Sequence, residues 1–339
     1  MATVVTMRIQ YEQLKVTERF GTQSTGQTNF RASISALPHG IIQSTIDMGM
    51  KPPSGFKLKD NDVTWTGLLA VAVGISQKQN VDSIVNKFLA DKCSIILFHY
   101  DGKVDEWHDL DWSDKAVHVI AQNQTKWWFA KRFLHPDVID MYDYIFLWDE
   151  DIAVDYFQPR RYMQIAFSEG LEISQPAVDP ELSLDIHHRI TVRSKKAKVH
   201  RRVYFSGSMN CTEESRGPPC TGWVEGMVPV FSKAAWRCVW HLIQNDLIHG
   251  WGLDMKLGYC SQGDRTKNVG VIDEEFIVHK GIPSLGGVHD KKVPSHKSLD
   301  SRSRIRRQST AELEKFKQRW DIAIQEDKDW TDPFDIQKR

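Results

Sequence analysis

Two carboxylates separated by one residue follow an apolar run and could bind a cation. Residues 144–148 read Tyr-Ile-Phe-Leu-Trp, and Asp149 and Asp151 follow them directly. In an extended segment, residues i and i+2 point to the same side, so these carboxylates repel each other unless a cation lies between them. Hard oxygen ligands suit Mn²⁺ or Mg²⁺. The pattern predicts a metal that stabilises a leaving diphosphate, with a solvated acidic turn as the alternative.

A second pattern, His-Gly-Trp-Gly-Leu-Asp at residues 249–254, could bind and activate a sugar. We expect a tight turn at Gly252 that presents the ring of Trp251 for stacking beside the carboxylate of Asp254. A carboxylate there can take the proton of an attacking hydroxyl. Alternatively, Asp254 is an acidic residue in the first turn of a helix. Glu225, which could line the acceptor floor, is a rival catalytic and substrate-binding carboxylate.

A third pattern places a histidine at the end of a short apolar run. Residues 276–281 read Phe-Ile-Val-His-Lys-Gly, so His279 is a candidate third metal ligand and Lys280 could meet a phosphate. An ordinary surface or core histidine is the alternative, and His289 competes for the ligand role.

Apolar runs alternate with helical patterns in the first half of the chain. The predicted strands are 67–75, 94–100, 115–121 and 142–148, and the predicted helices are 77–90 and 126–134. This alternation indicates an α/β fold with a mostly parallel central sheet flanked by helices. Ligands of such sheets bind beyond the carboxyl ends of the strands, where Asp149 and Asp151 fall.

The second half mixes both kinds of element. Helices are predicted at 160–169, 232–248 and 308–326, and extended segments at 171–177, 186–193, 223–231, 269–272 and 276–278. Residues 1–60, rich in Ser, Thr, Gln and Gly, are expected to form a disordered or loosely docked stem. The catalytic domain is expected at 61–327, including the C-terminal helix, with a tail at 328–339.

Composition narrows the classes of partner. Lys plus Arg equals Asp plus Glu, at 44 each, so no overall charge favours nucleic acid. No stretch reaches the roughly 20 apolar residues of a membrane span, and no signal peptide is recognised. The five cysteines allow one or two disulfides with one thiol left over, and Cys93 is predicted to be a buried thiol.

The order of these patterns resembles the layout of a GT-A glycosyltransferase: a carboxylate pair after the fourth strand, the Gly-Trp-Gly turn, then a strand-borne histidine. The resemblance implies a GT-A-like nucleotide-diphospho-sugar transferase architecture. It further implies that Asp149 and Asp151 hold the metal and the donor, that Asp254 binds or deprotonates the acceptor, and that His279 completes the metal shell.

Longer stretches resemble a plant family of unknown function labelled lysine-ketoglutarate-reductase trans-splicing-related. They are residues 37–43, 96–102, 123–136, 217–222, 244–260 and 306–310. The resemblance spans residues 37–330 and implies a Golgi lumen location, since members typically carry an N-terminal membrane anchor. We recognise no such anchor in this sequence. A literal reductase would need a nicotinamide site, and no Gly-x-Gly-x-x-Gly follows a strand here.

We therefore expect a metal-dependent glycosyltransferase. It would move a sugar from a nucleotide diphosphate donor to an acceptor hydroxyl, on a cell-wall polysaccharide or a glycoconjugate. Two alternatives stay open. One is a metal-dependent phosphoryl-transfer or hydrolytic enzyme using the same acids, and the other is a non-catalytic carbohydrate-binding or scaffold protein that retains the fold.

Overall fold

Strands and helices alternate along the first half of the chain, as the sequence predicts. The computed structural model describes residues 36–38, 41, 65–184, 186, 189–206, 209–282 and 301–335. The strands are β1 (Gly67–Val73), β2 (Ser94–His99), β3 (Val117–Ile120), β4 (Tyr144–Trp148), β5 (Ile152–Ala153), β6 (Ile173–Val178), β7 (Val199–His200), β8 (Phe205–Ser206), β9 (Met209–Asn210), β10 (Val230–Ser232) and β11 (Val269–His279). The helices are α1 (Lys78–Ala90), α2 (Lys126–Phe133), α3 (Pro159–Ser168), α4 (Lys233–Leu242), α5 (Asp254–Leu257), α6 (Arg265–Asn268) and α7 (Ser301–Glu326).

The central sheet has the order β3-β2-β1-β4-β10-β6-β11-β5, and β7 pairs with β11. The pairs β1–β2, β1–β4, β2–β3 and β6–β11 are parallel, whereas β10 is antiparallel to both β4 and β6. The strand order reverses between β1 and β4, and ligands of α/β sheets bind at such a switch point. The predicted α/β fold class is confirmed: helices flank a central sheet whose longer strand pairings are parallel.

The sheet separates two hydrophobic cores because successive strand residues face opposite sides. Ile145 and Leu147 of β4 belong to the core that includes residues of α2, α4 and α7. Tyr144, Phe146 and Trp148 belong to the core that includes residues of α1 and α3. Both faces of β4 are therefore buried, and the site at its end rests on a rigid strand.

Several predicted boundaries in the second half are wrong. The described part of residues 186–193 does not form a strand: Arg189–Thr191 is a 3-10 turn, with one isolated bridge between Val178 and Val192. Of the extended segment 223–231, only its last two residues lie in β10. The helix predicted at 232–248 ends at Leu242, shortly before Asn245 and Asp246, which favour turns.

The two short strands predicted at 269–272 and 276–278 are one strand, β11. Its pairing with β6 shifts register between Ile272 and Phe276, which absorbs the charged residues that interrupt the apolar pattern. The long C-terminal helix is confirmed and begins earlier than predicted, at Ser301.

Two disulfides, Cys211–Cys220 and Cys238–Cys260, leave Cys93 as a buried free thiol, as predicted. Within the described ranges, no helix is both long and apolar enough to cross a membrane. Most of the predicted stem lies outside the described residues. Of its described positions, Leu37 and Ile41 are fully buried in the core that includes residues of α2, α4 and α7.

A buried lysine ties α2 to α4. The Nζ of Lys131 donates to the carbonyl oxygen of Trp240 at 2.7 Å and lies 3.8 Å from the centre of its ring. Burial lowers the pKa of Lys131 to about 7. In the unfolded chain a lysine has a pKa of about 10.4, so between about pH 7 and 10 the unfolded state binds more protons than the folded state. The free energy of unfolding should therefore rise with pH in this interval.

We predict that Lys131→Met removes this pH dependence. A single group contributes at most about 1.4 kcal/mol per pH unit, so wild-type stability should rise by nearly that amount between pH 8 and 9 relative to the variant. Urea denaturation from pH 6.5 to 9.5 measures the difference, with the exposed Lys115→Met as control. Equal slopes in the wild type and Lys131→Met would contradict the prediction.

Candidate functional site

The pairing of β5 with β11 brings a predicted aspartate and the predicted histidine together. The antiparallel register sets His279 opposite Ile152, so Asp151 lies beside the end of β11. Its Oδ2 is 3.1 Å from Nε2 of His279 and accepts from the backbone N–H of Ile282 at 3.0 Å. The Asp151 carbonyl accepts from the backbone N–H of Lys280 at 2.9 Å. Backbone contacts on both sides thus fix the Asp151–His279 pair.

The other ring nitrogen of His279 determines which proton the ring carries. Nδ1 lies 2.7 Å from the carbonyl oxygen of Leu184, which can only accept, so Nδ1 holds a proton. In a neutral ring, Nε2 then presents a lone pair to the Asp151 carboxylate. Burial lowers the pKa of His279, but Asp151, the Leu184 carbonyl and Glu225 outweigh burial and raise it above the usual value. The geometry requires either a proton or a cation between Nε2 and Oδ2.

Asp149 faces a buried lysine. Its Oδ1 lies 2.6 Å from Nζ of Lys126, whose side chain is only 8% exposed. The same Nζ donates to the carbonyl oxygens of Gly226 at 2.6 Å and Met227 at 3.1 Å. A cation in the first turn of a helix opposes the helix dipole, and these three oxygens compensate for that position. Burial raises the pKa of Asp149, and the charge of Lys126 lowers it.

The structure brings together two of the three predicted metal ligands, Asp151 and His279. Cis ligands of an octahedral ion with bonds of about 2.1 Å lie about 3.0 Å apart, so their separation of 3.1 Å fits a shared cation. The described residues contain no group of three or more His, Cys, Asp or Glu placed to hold a metal. Asp149 as a ligand therefore stays a prediction.

Lys280 and His289 are the other two candidates for this end of the site. The side chain of Lys280 is exposed, and the contact that ties this residue to the site is made by its backbone. Its role toward phosphate stays a prediction. The competing histidine, His289, lies outside the described residues.

Glu225 interacts electrostatically with four charged groups of the site. Its backbone N–H donates to Oε1 of the fully buried Gln175 on β6 at 2.7 Å. Burial raises the pKa of Glu225 to about 7, and four charged groups of the site act on it as well. His279 and Lys126 lower the pKa of Glu225, whereas Asp254 and Asp149 raise it. A carboxyl group with this pKa can exchange a proton near neutrality.

Asp254 is the first residue of α5 and follows the Gly-Trp-Gly turn after Leu253. It is therefore an acidic residue in the first turn of a helix, the alternative that the sequence left open, and it also remains the candidate base. Gly250 and Gly252 have φ values of +68° and +91°, which confirms the tight turn. Trp251 between them is 46% exposed. Burial raises the pKa of Asp254 to about 6, although backbone amides and the Trp223 side chain lower it through hydrogen bonds.

The sequence prediction missed two buried groups here. Glu150 turns away from its neighbours and accepts from the N–H of Gly74 at 2.7 Å and from the hydroxyl of Tyr100. Burial raises its pKa to about 8. Strand alternation could have predicted this opposite orientation. The sequence suggested Lys126 only as one of several cations and rings that could face a nucleotide diphosphate, and did not include it among the site residues.

Together these residues form one polar cluster at the carboxyl edge of the sheet. At one end, Asp151 and His279 can share a cation, and Lys126 supplies a buried positive charge. At the other end, Asp254 offers a carboxylate beside an exposed aromatic ring. Such an arrangement can hold an anionic leaving group and deprotonate a hydroxyl.

Comparisons with solved structures give distant likenesses only. The S. cerevisiae mannosyltransferase Ktr4p is similar over 76% of this chain and 82% of its own, with 10% identity and a TM-score of 0.39. Its complex with GDP matches over 73% and 77%, with 10% identity and a TM-score of 0.31. A Thermus thermophilus mannose-1-phosphate geranyltransferase matches over 63% and 74%, with 9% identity and a TM-score of 0.32.

No curated protein matches this chain. One family model, described as "Protein of unknown function (DUF707)", matches residues 28–326, which is most of the sequence. The chain belongs to the DUF707 family.

Proposed function

We propose that this protein is a metal-dependent glycosyltransferase that moves a sugar from a nucleotide diphosphate donor to an acceptor hydroxyl. The observation that carries the proposal is the Asp151–His279 pair, in which a proton fixed on Nδ1 leaves Nε2 facing a carboxylate oxygen at 3.1 Å. The acceptor class, a cell-wall polysaccharide or glycoconjugate, and the Golgi lumen as location are proposed from the family resemblance.

The donor end of the site is built from groups that hold charge. Asp151 and His279 would bind Mn²⁺ or Mg²⁺, with the Leu184 carbonyl orienting the imidazole as is usual for ligating histidines. The bound ion would act as a Lewis acid that neutralises the leaving diphosphate. Asp149, held by Lys126, would contact the ribose or the metal, and Lys280 would approach the phosphates.

The acceptor end supplies orientation and a base. Trp251 would stack on the acceptor sugar, since it is exposed in the Gly250–Gly252 turn that precedes Asp254. Asp254 would accept the proton of the attacking hydroxyl, with its raised pKa of about 6 bringing it closer to working pH than an ordinary aspartate. Direct attack by that hydroxyl inverts the anomeric centre. Glu225 is the rival base, and it would otherwise bind donor or acceptor hydroxyls.

We predict that Mn²⁺ together with one nucleoside diphosphate raises the melting temperature of the chain. A ligand that binds only the folded state stabilises it by mass action. Asp151→Asn should abolish the shift because the amide cannot offer a charged oxygen to the cation. The matched control is Asp155→Asn, an exposed acid four residues further along the chain.

Differential scanning fluorimetry with uridine, guanosine, adenosine and cytidine diphosphates, each with and without Mn²⁺, measures these shifts. Stabilisation by Mn²⁺ and a nucleotide that persists in Asp151→Asn would exclude this residue as the ligand. The absence of any nucleotide-dependent shift in the folded wild type would favour a binding or scaffold protein.

We predict that Asp254→Asn lowers kcat by about 10²-fold or more, a usual effect of losing a general base. Glu225→Gln is the isosteric comparison and should retain more activity. In the wild type, kcat/KM should rise with pH and level off above about 6, because the base must be deprotonated. Initial rates across pH 5 to 8 with the active donor measure both effects.

The same series distinguishes the two carboxylates. If Glu225 is the base, activity should instead rise through about pH 7, and Glu225→Gln should be the more damaging variant. Full turnover by Asp254→Asn would refute its catalytic role.

A further inference from the structure

A carboxylate on the C-terminal helix α7 contacts His249, which directly precedes the Gly-Trp-Gly turn at residues 250–252, called the acceptor turn below. Oε2 of Glu312 accepts from the backbone N–H of His249 at 2.8 Å, and Oε1 lies 3.0 Å from Nδ1 of the same residue. Gln308, one turn earlier on α7, donates to Oε1 at 3.0 Å. Glu312 is 8% exposed, so these contacts satisfy a carboxylate that would otherwise be costly to bury. A bidentate contact to both backbone and ring fixes the position and the orientation of His249.

Further contacts secure the turn on both sides. Thr125, the N-cap residue of α2, donates its hydroxyl to the carbonyl of Ile248. A side chain added at Gly250 would come within 2.3 Å of the Trp127 ring, and one at Gly252 within 2.7 Å of Leu313 on α7. The turn therefore lies tightly between α2 and α7.

A covalent link secures the segment after the turn. Cys260, in the 3-10 turn that follows α5, forms a disulfide with Cys238 of α4, and both residues are fully buried. Asp254 thus lies between two fixed points, the Glu312–His249 contact and this disulfide. The first is noncovalent and can be altered by one substitution.

We propose that Glu312 is a positioning residue for the acceptor: through His249 it sets the placement of Trp251 and Asp254. This inference rests on the proposed transferase function and extends the site to a helix that the sequence places about 60 residues away. Among the described residues, the hydrogen bonds that hold Asp151 and His279 come from Ser183, Leu184 and Ile282 rather than from α7. Loss of the Glu312 contact should therefore affect the acceptor and spare the donor.

The test compares three variants of the full chain: Glu312→Gln, Glu312→Asp and Glu314→Gln. The glutamine removes the charge, whereas the aspartate keeps it but shortens its reach, so two different changes probe one contact. Glu314 is an exposed acid on the same helix, paired with Lys317, and is the matched control. The probes are the nucleotide sugar and oligosaccharide that the wild type uses, found by screening UDP-, GDP- and ADP-sugars.

We expect both Glu312 variants to raise the acceptor KM about tenfold or more, since a small misplacement of reacting groups costs this much or more. The donor KM and the Mn²⁺-dependent thermal shift with the nucleoside diphosphate should match those of Glu314→Gln. This split separates positioning from a general loss of structure, which would impair both substrates.

Two results would overturn the inference alone: an acceptor KM equal to that of the control, or parallel losses for donor and acceptor. A wild-type chain that transfers no sugar from any donor would instead refute the proposed function, and the inference with it.

Discussion

Two electron-rich atoms face each other at the edge of the sheet, and the rest of the site is arranged around them. Nδ1 of His279 is committed to the Leu184 carbonyl, so Nε2 must meet the Asp151 carboxylate at 3.1 Å with a proton or a metal ion in between. A charge between these atoms is stabilised by the carboxylate and by the surrounding acids. The contact is therefore suited to gain and release a cation, which a donor with a diphosphate needs.

The topology explains why these atoms meet. β11 is long enough to carry His279 past the end of β6 to pair with β5, which follows Asp151 directly. β10 enters antiparallel between β4 and β6, so the segment before it lies at the carboxyl edge. There the Asp149 N–H donates to the Met227 carbonyl at 3.0 Å, which brings Glu225 into the same cluster. A single reversed strand thus joins the end of the cluster proposed to bind metal to the end proposed to bind the acceptor.

The parts of this site that depend on local pattern could be predicted from the sequence, and the parts that depend on distant contacts could not. Asp151 and His279 were identifiable because each follows an apolar strand, and ends of strands meet at one edge. The three oxygens that surround the Lys126 amine come from Asp149, Gly226 and Met227, and only the fold brings them together. Glu312 contacts a residue 63 positions away, beyond any periodic signal. Ile190 lies in the segment 186–193 that was predicted to be a strand, but it is buried in a 3-10 turn instead.

The most direct test of the central claim is a crystal of the chain grown with Mn²⁺ and a nucleoside diphosphate, measured near the manganese absorption edge. We expect one anomalous peak within bonding distance of both Oδ2 of Asp151 and Nε2 of His279, with diphosphate oxygens on its open side. A peak elsewhere, or diphosphate bound with the Asp151–His279 hydrogen bond intact and no metal between the two atoms, would contradict the claim.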